Sequence, residues 1–122
     1  MALDANFMIW LEDLFSVVPD TTVKKMFGGA GVFRHGLMFA LATSDGRVSL
    51  KADNETIEDF TAEGCKEWEY HRKDGRVTTM GYWYIPERLS DGSDELLEWS
   101  LKAFDVAVRA DNKKPPSQRK LK

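Results

Sequence analysis

The apolar side chains of Phe7, Trp10, Leu11, Leu14, Phe15 and Val18 recur every three or four residues, while Glu12, Asp13 and Ser16 fall between them. That spacing predicts a helix whose broad apolar face packs on a sheet. Asp4 is placed to cap it ahead of Ala5, and Pro19-Asp20 to end it. Residues 21–27 carry β-branched side chains and suit a strand. Gly28-Gly29-Ala30-Gly31 follows and leads into Val32-Phe33, which reads as a glycine bulge or bend inside the sheet. Arg34-His35-Gly36 is a hairpin turn, residues 37–43 an apolar central strand, and Ser44-Asp45-Gly46 a second turn. Residues 47–51 alternate Val48 and Leu50 with Arg47, Ser49 and Lys51, the pattern of a half-buried strand.

A short helix is expected over residues 55–62, capped by Asp53 or Asn54, held by Ile57 and Phe60 and stopped by Gly64. Trp68, Tyr70 and Arg72 alternate with Glu67, Glu69 and His71 in a further strand, and Lys73-Asp74-Gly75-Arg76 turns the chain. The last strand, residues 77–85, is dense in aromatic side chains and stops at Pro86. Leu97, Leu101, Phe104 and Val108 then mark a closing helix over residues 93–110. The order α-β-β-β-α-β-β-α predicts a two-layer α+β domain, a five-stranded antiparallel sheet with helices on one face. Residues 1–110 form the domain, and 111–122, with Pro115-Pro116 and no periodicity, are expected to be a flexible basic tail.

Charge sharpens this division. The 122 residues carry a net −3, yet residues 113–122 hold five basic side chains and no acidic one. The preceding 112 residues hold the other 12 basic side chains against all 20 acidic ones, a body of −8. Such a body has no global attraction for nucleic acid or anionic membrane. A single cysteine, Cys65, precludes an internal disulfide; with no signal-peptide pattern and no apolar run of membrane-spanning length, a cytoplasmic protein is expected.

Catalytic chemistry finds little support. The glycine run lacks a following Lys-Ser or Lys-Thr and a following helix, the parts a phosphate loop needs. His35 and His71 sit in or beside turns without a paired metal-ligand spacing, and Cys65 has no His or Asn at a nucleophile's spacing. Asp94-Glu95 at the start of the closing helix is explained by the helix dipole. The expectation is a protein that is not an enzyme and needs neither cofactor nor metal.

Several spaced motifs, in order, closely resemble the TfoX N-terminal domain family, also called the Sxy family. They are Met26-Phe27-Gly28-Gly29-x-Gly31, Gly36-x-Met38-Phe39-Ala40, Leu50-Lys51-x-Asp53, Met80-Gly81-Tyr82-Trp83-x-Ile85-Pro86 and Asp94-Glu95-Leu96-Leu97-x-Trp99. The resemblance covers about residues 5–110 and implies a secretion-chaperone-like α+β fold. It also implies kinship with bacterial regulators of natural competence, which act with the cyclic-AMP receptor protein at promoters. Those regulators usually carry a second, C-terminal domain; here a stand-alone N-terminal domain is expected.

The function expected is therefore a non-catalytic regulatory domain acting through protein–protein contacts. Its interaction residues are taken to be Gly28, Gly29, Arg34 and His35 in the loops, together with Trp83, which alternation sets on the face opposite Tyr82 and Tyr84. Two alternatives stand beside it: nucleic-acid binding through Lys24, Lys25, Arg34, Arg47, Lys51 and the tail, and a small-ligand site between helices and sheet. Exposed aromatics and short antiparallel edges are compatible with a homodimer.

Overall fold

In the computed structural model the described residues are 5–26, 29–43, 45–91 and 94–120. Helix α1, Ala5–Leu14, runs into a 3-10 turn, Phe15–Val17. Strands β1 (Thr21–Met26), β2 (Gly29–Arg34), β3 (Leu37–Thr43) and β4 (Val48–Lys51) follow. Then come helix α2 (Ile57–Thr61), strands β5 (Glu67–His71) and β6 (Val77–Tyr84), a 3-10 turn at Glu87–Asp91 and helix α3 (Asp94–Asn112). The expected caps and turn residues Asp4, Ser44 and Ser93 lie outside the described residues.

Among the described residues the sheet is antiparallel and has six strands in the order β1-β2-β3-β4-β6-β5, not the five expected. The difference lies in the glycine run. Residues 21–33 are not one bent strand: β1 folds back on β2 in register, from Thr21 opposite Arg34 to Met26 opposite Gly29. Gly29 instead serves β2's approach to β3. A Cβ there would run into the carbonyl oxygen of Ala42 and stand 3.3 Å from Thr43 Cα.

The bulges sit elsewhere. Val32 pairs with Ala40 and Phe33 with Met38, so Phe39 is an extra residue on β3. A bulge of that kind lets two successive side chains take the same side, and Phe39 and Ala40 are both wholly buried in the core. A second irregularity follows Glu67, which faces Trp83, whereas Glu69 faces Thr79. It falls at Gly81, whose φ of 78° suits glycine and whose carbonyl accepts the Ala52 N–H.

Among the described residues the three α-helices cover one face. Leu11, Leu14 and Phe15 meet Val32, Phe39 and Leu50, with Phe15 and Phe39 edge to face at 5.9 Å. Leu96, Ala103, Phe104 and Ala107 bring α3 onto β3 and β4, and Phe60 of α2 stands edge-on to Trp99 at 5.1 Å. Two arginines clamp α3. Arg88 makes paired hydrogen bonds to Glu63 at 2.7 and 2.8 Å and to Glu95 at 3.0 and 2.7 Å. Arg109, in the last turn, holds Asp53 through bonds of 2.9 and 3.0 Å, with Glu55 at 3.1 Å. α3 runs two residues past the boundary expected at 110. The segment beyond folds back: buried Asp111 accepts the Lys120 N–H, and Arg119 donates to the carbonyls of Asn112 and Lys114.

Candidate interaction face

The opposite face of the sheet has no helix on it among the described residues. Register assigns it Thr22, Lys24 and Met26 from β1, Gly29, Gly31 and Phe33 from β2, and Met38, Leu41 and Thr43 from β3. Ser49 and Lys51 continue it on β4, and Tyr82 and Tyr84 on β6. Beyond the Gly81 bulge it extends onto the β5–β6 hairpin as Trp68, Tyr70, Thr78 and Met80. None of these strand positions is acidic.

Cations cover the aromatic rings of this face. Lys24 Nζ stands 5.3 Å from the Phe33 centroid, Lys51 Nζ 5.0 Å from Tyr82, and the Arg47 guanidinium 3.6 Å from Tyr84. Such pairs stabilise the cation's position and screen the ring from water. Tyr82 lies across β4, and its hydroxyl donates to the Met38 carbonyl at 3.3 Å. Burial pushes that hydroxyl's pKa well up, so it remains a donor. Burial also lowers the pKa of Lys51, and Lys114 lowers it further. Lys51 lines a cavity of about 250 Å³ at the rim, with Phe33, Met38, Asp111, Lys114 and Lys120. On the hairpin the Trp68 and Tyr70 rings lean on each other with centroids 5.9 Å apart, and with Arg72, Lys73, Thr78 and Met80 they line an open groove of about 400 Å³.

The residues expected from sequence are distributed differently. Gly28 lies outside the described residues, and Gly29 serves strand approach. Arg34 and His35 come together on the helix side, both against Phe104: the guanidinium 4.6 Å from its centroid, the imidazole at 5.9 Å. Arg34 Nε also donates to the Pro19 carbonyl. His35 takes a φ of 52°, and its Nε2 is 3.9 Å from Asp20. Trp83 is half-buried on the helix side, 6.2 Å from Phe60, and its buried Nε1 has no hydrogen-bond partner among the described residues. From the nucleic-acid set the structure gathers Lys24, Arg47 and Lys51 on the open face and sets Arg34 apart.

The carboxylates that cluster are engaged in ion pairs. Hydrogen bonds from Arg88 hold Glu63 and Glu95 below the usual carboxylate range, and Arg109 does the same for Asp53. The Cys65 thiol is pushed up by burial and by Glu63 and so stays protonated. Among the described residues no helix is long and apolar enough to cross a membrane.

A helix-backed antiparallel sheet whose other face carries basic and aromatic side chains defines a small α+β domain. The sequence profile of the TfoX N-terminal domain matches residues 13–107, and the chain belongs to that family. It is 29% identical over 100 residues to the DNA transformation protein TfoX1 of Aliivibrio fischeri (strain ATCC 700601 / ES114), an alignment covering 81% of this chain. The chain spans about half, 47%, of that relative's length.

Proposed function

We propose that the chain is a non-catalytic regulatory domain of DNA transformation, working in the cytoplasm by binding an acidic protein surface with the open face of its sheet. The observation that carries this reading is the distribution of charge. A chain of net −3 keeps acidic residues off the strand positions of one face and sets Lys24, Arg47 and Lys51 over aromatic rings there. Electrostatic complementarity of this kind steers a partner and fixes its register. The engaged carboxylates and the protonated Cys65 thiol support a non-catalytic role. The name of the relative supports the biological setting.

The cyclic-AMP receptor protein, implied by family kinship, is the first partner to test. In biolayer interferometry, Lys24→Glu with Arg47→Glu should weaken binding at least tenfold, on the order of 1.4 kcal/mol, without lowering the melting temperature. Binding that ignores both reversals refutes the assignment of the face.

The same alternation of cations and aromatics favours a second reading, contact with a nucleic-acid backbone. Fluorescence anisotropy of labelled duplex and single-stranded DNA separates the two. Phosphate contacts give an affinity that falls steeply between low and near-physiological salt, and comparison with a 1–112 truncation isolates any part played by the tail.

A further inference from the structure

The two edges of the sheet carry opposite electrostatic patterns. β1 shows Lys24 and Lys25, so a second copy laid antiparallel along it meets like charge. β5 reads Glu67-Trp68-Glu69-Tyr70-His71 and runs on into Arg72-Lys73. Its first half is acidic and its second half basic, which is self-complementary when the strand is reversed against itself.

Hydrogen-bond phase narrows the possible registers. Arg72 N–H donates to the Arg76 carbonyl, so Arg72 and Tyr70 turn their backbone groups toward β6. Lys66 is likewise turned inward, accepting the Tyr84 N–H. Glu67, Glu69 and His71 therefore turn theirs outward, and no strand lies beyond β5 among the described residues. A partner strand must match outward groups with outward groups. Centred on Tyr70, the antiparallel register sets Glu69 against His71, Glu67 against Lys73 and Trp68 against Arg72, with Tyr70 facing its own copy. Centred on Glu69, it opposes two carboxylates. Centred on His71, it opposes two imidazoles and leaves Glu67 facing Gly75.

We propose that two copies of this chain pair antiparallel along β5 about Tyr70 and join their sheets into one. The two-fold axis is then perpendicular to the sheet, so the two open faces continue into each other. Two of the apolar side chains the hairpin leaves exposed, Tyr70 at 36% and Met80 at 48%, come close to the seam beside Trp68. Each copy thereby extends the other's basic, aromatic face.

Sedimentation equilibrium of the whole chain from about 1 to about 500 µM tests this and should show a monomer–dimer equilibrium. Glu69→Lys should weaken self-association about tenfold, and adding His71→Glu should restore it to within about threefold, because the pair is only exchanged. Both positions are exposed, and circular dichroism verifies folding. In a Cys65→Ser background, Tyr70→Cys should oxidise to a covalent dimer, since a non-hydrogen-bonded antiparallel pair sets Cα atoms about 4.5 Å apart, within disulfide reach. Glu69→Cys should not. A monomer throughout the range overturns the proposal, as does a dimer indifferent to Glu69→Lys, a double variant that fails to recover, or cross-linking through Glu69→Cys in place of Tyr70→Cys. These readouts need no heterologous partner, so they stand or fall separately from the binding assays above.

Discussion

Substituting alanine at Gly29 and at Gly31 should give unequal losses of stability. Both glycines lie on the open face of β2, with φ outside the left-handed region, so backbone strain does not enter. The difference is what a new methyl meets. At Gly29 it strikes the Ala42 carbonyl oxygen and also comes within 3.3 Å of the Ala42 carbonyl carbon and Thr43 Cα, all of them backbone. β2 and β3 must separate to admit it, which strains a central strand pair. Overpacking of this kind costs about 1–3 kcal/mol, and the loss of glycine's unfolded-state freedom returns about 0.4–1 kcal/mol. The net is about 1–2 kcal/mol, or about 4–8 °C in melting temperature at this chain length. At Gly31 the methyl meets Met26 Sδ at 2.6 Å, Met38 Sδ at 2.7 Å and Phe33 Cε1 at 2.9 Å. Thioether ends swing aside readily, so Gly31→Ala should lie within about 1 kcal/mol of the parent. Urea denaturation followed by far-ultraviolet circular dichroism measures both. Equal midpoints for the two variants, or a larger loss at Gly31, would refute the reasoning.

Further outcomes follow from other contacts. Phe60→Ala empties the space between Trp83 and Trp99 and should cost about 3–5 kcal/mol, with a red shift of tryptophan emission in the folded protein. Asp53 has a pKa depressed by Arg109, so its contribution is full above the unfolded value near 3.8 and is lost as pH falls through the folded one. Asp53→Asn should therefore lower the urea midpoint at pH 6 and flatten its fall toward acid; an unchanged acid limb would remove Asp53 from the account. The Cys65 thiol should react with a disulfide reagent at pH 8 at least about tenfold more slowly in the folded chain than in urea, and equal rates would contradict its burial.

Much of the architecture was legible because apolar spacing changes cleanly from three-and-four to two at the element boundaries. The turn at His35-Gly36 carried a standard turn signature, and the positive φ values at both residues agree with it. The β1–β2 hairpin lacked such a signature. Its glycines suggested a bulge, whereas the real bulge at Phe39 is hidden in an apolar run where either side chain parity looks buried. Alternation correctly separated Trp83 from Tyr82 and Tyr84, but sequence does not say which side the helices take; they took Trp83's. Lys24, Arg47 and Lys51 were visible as basic residues. Their convergence depends on the register of β1 with β2 and of β4 with β6, which no local pattern encodes.

The paired clamps on α3 bear on how the molecule opens. Arg88 ties the start of the helix to Glu63, and Arg109 ties its end to Asp53 and Glu55. Both anchors lie in the short stretch flanking α2, so α2 is spanned by the two ends of one nineteen-residue helix. Helix termini ordinarily fray first. Here fraying at either end must break a bidentate arginine pair and free the same neighbour. α3 and the α2 segment are thus expected to exchange their amide protons as one block, with the ends of α3 protected almost as long as its middle.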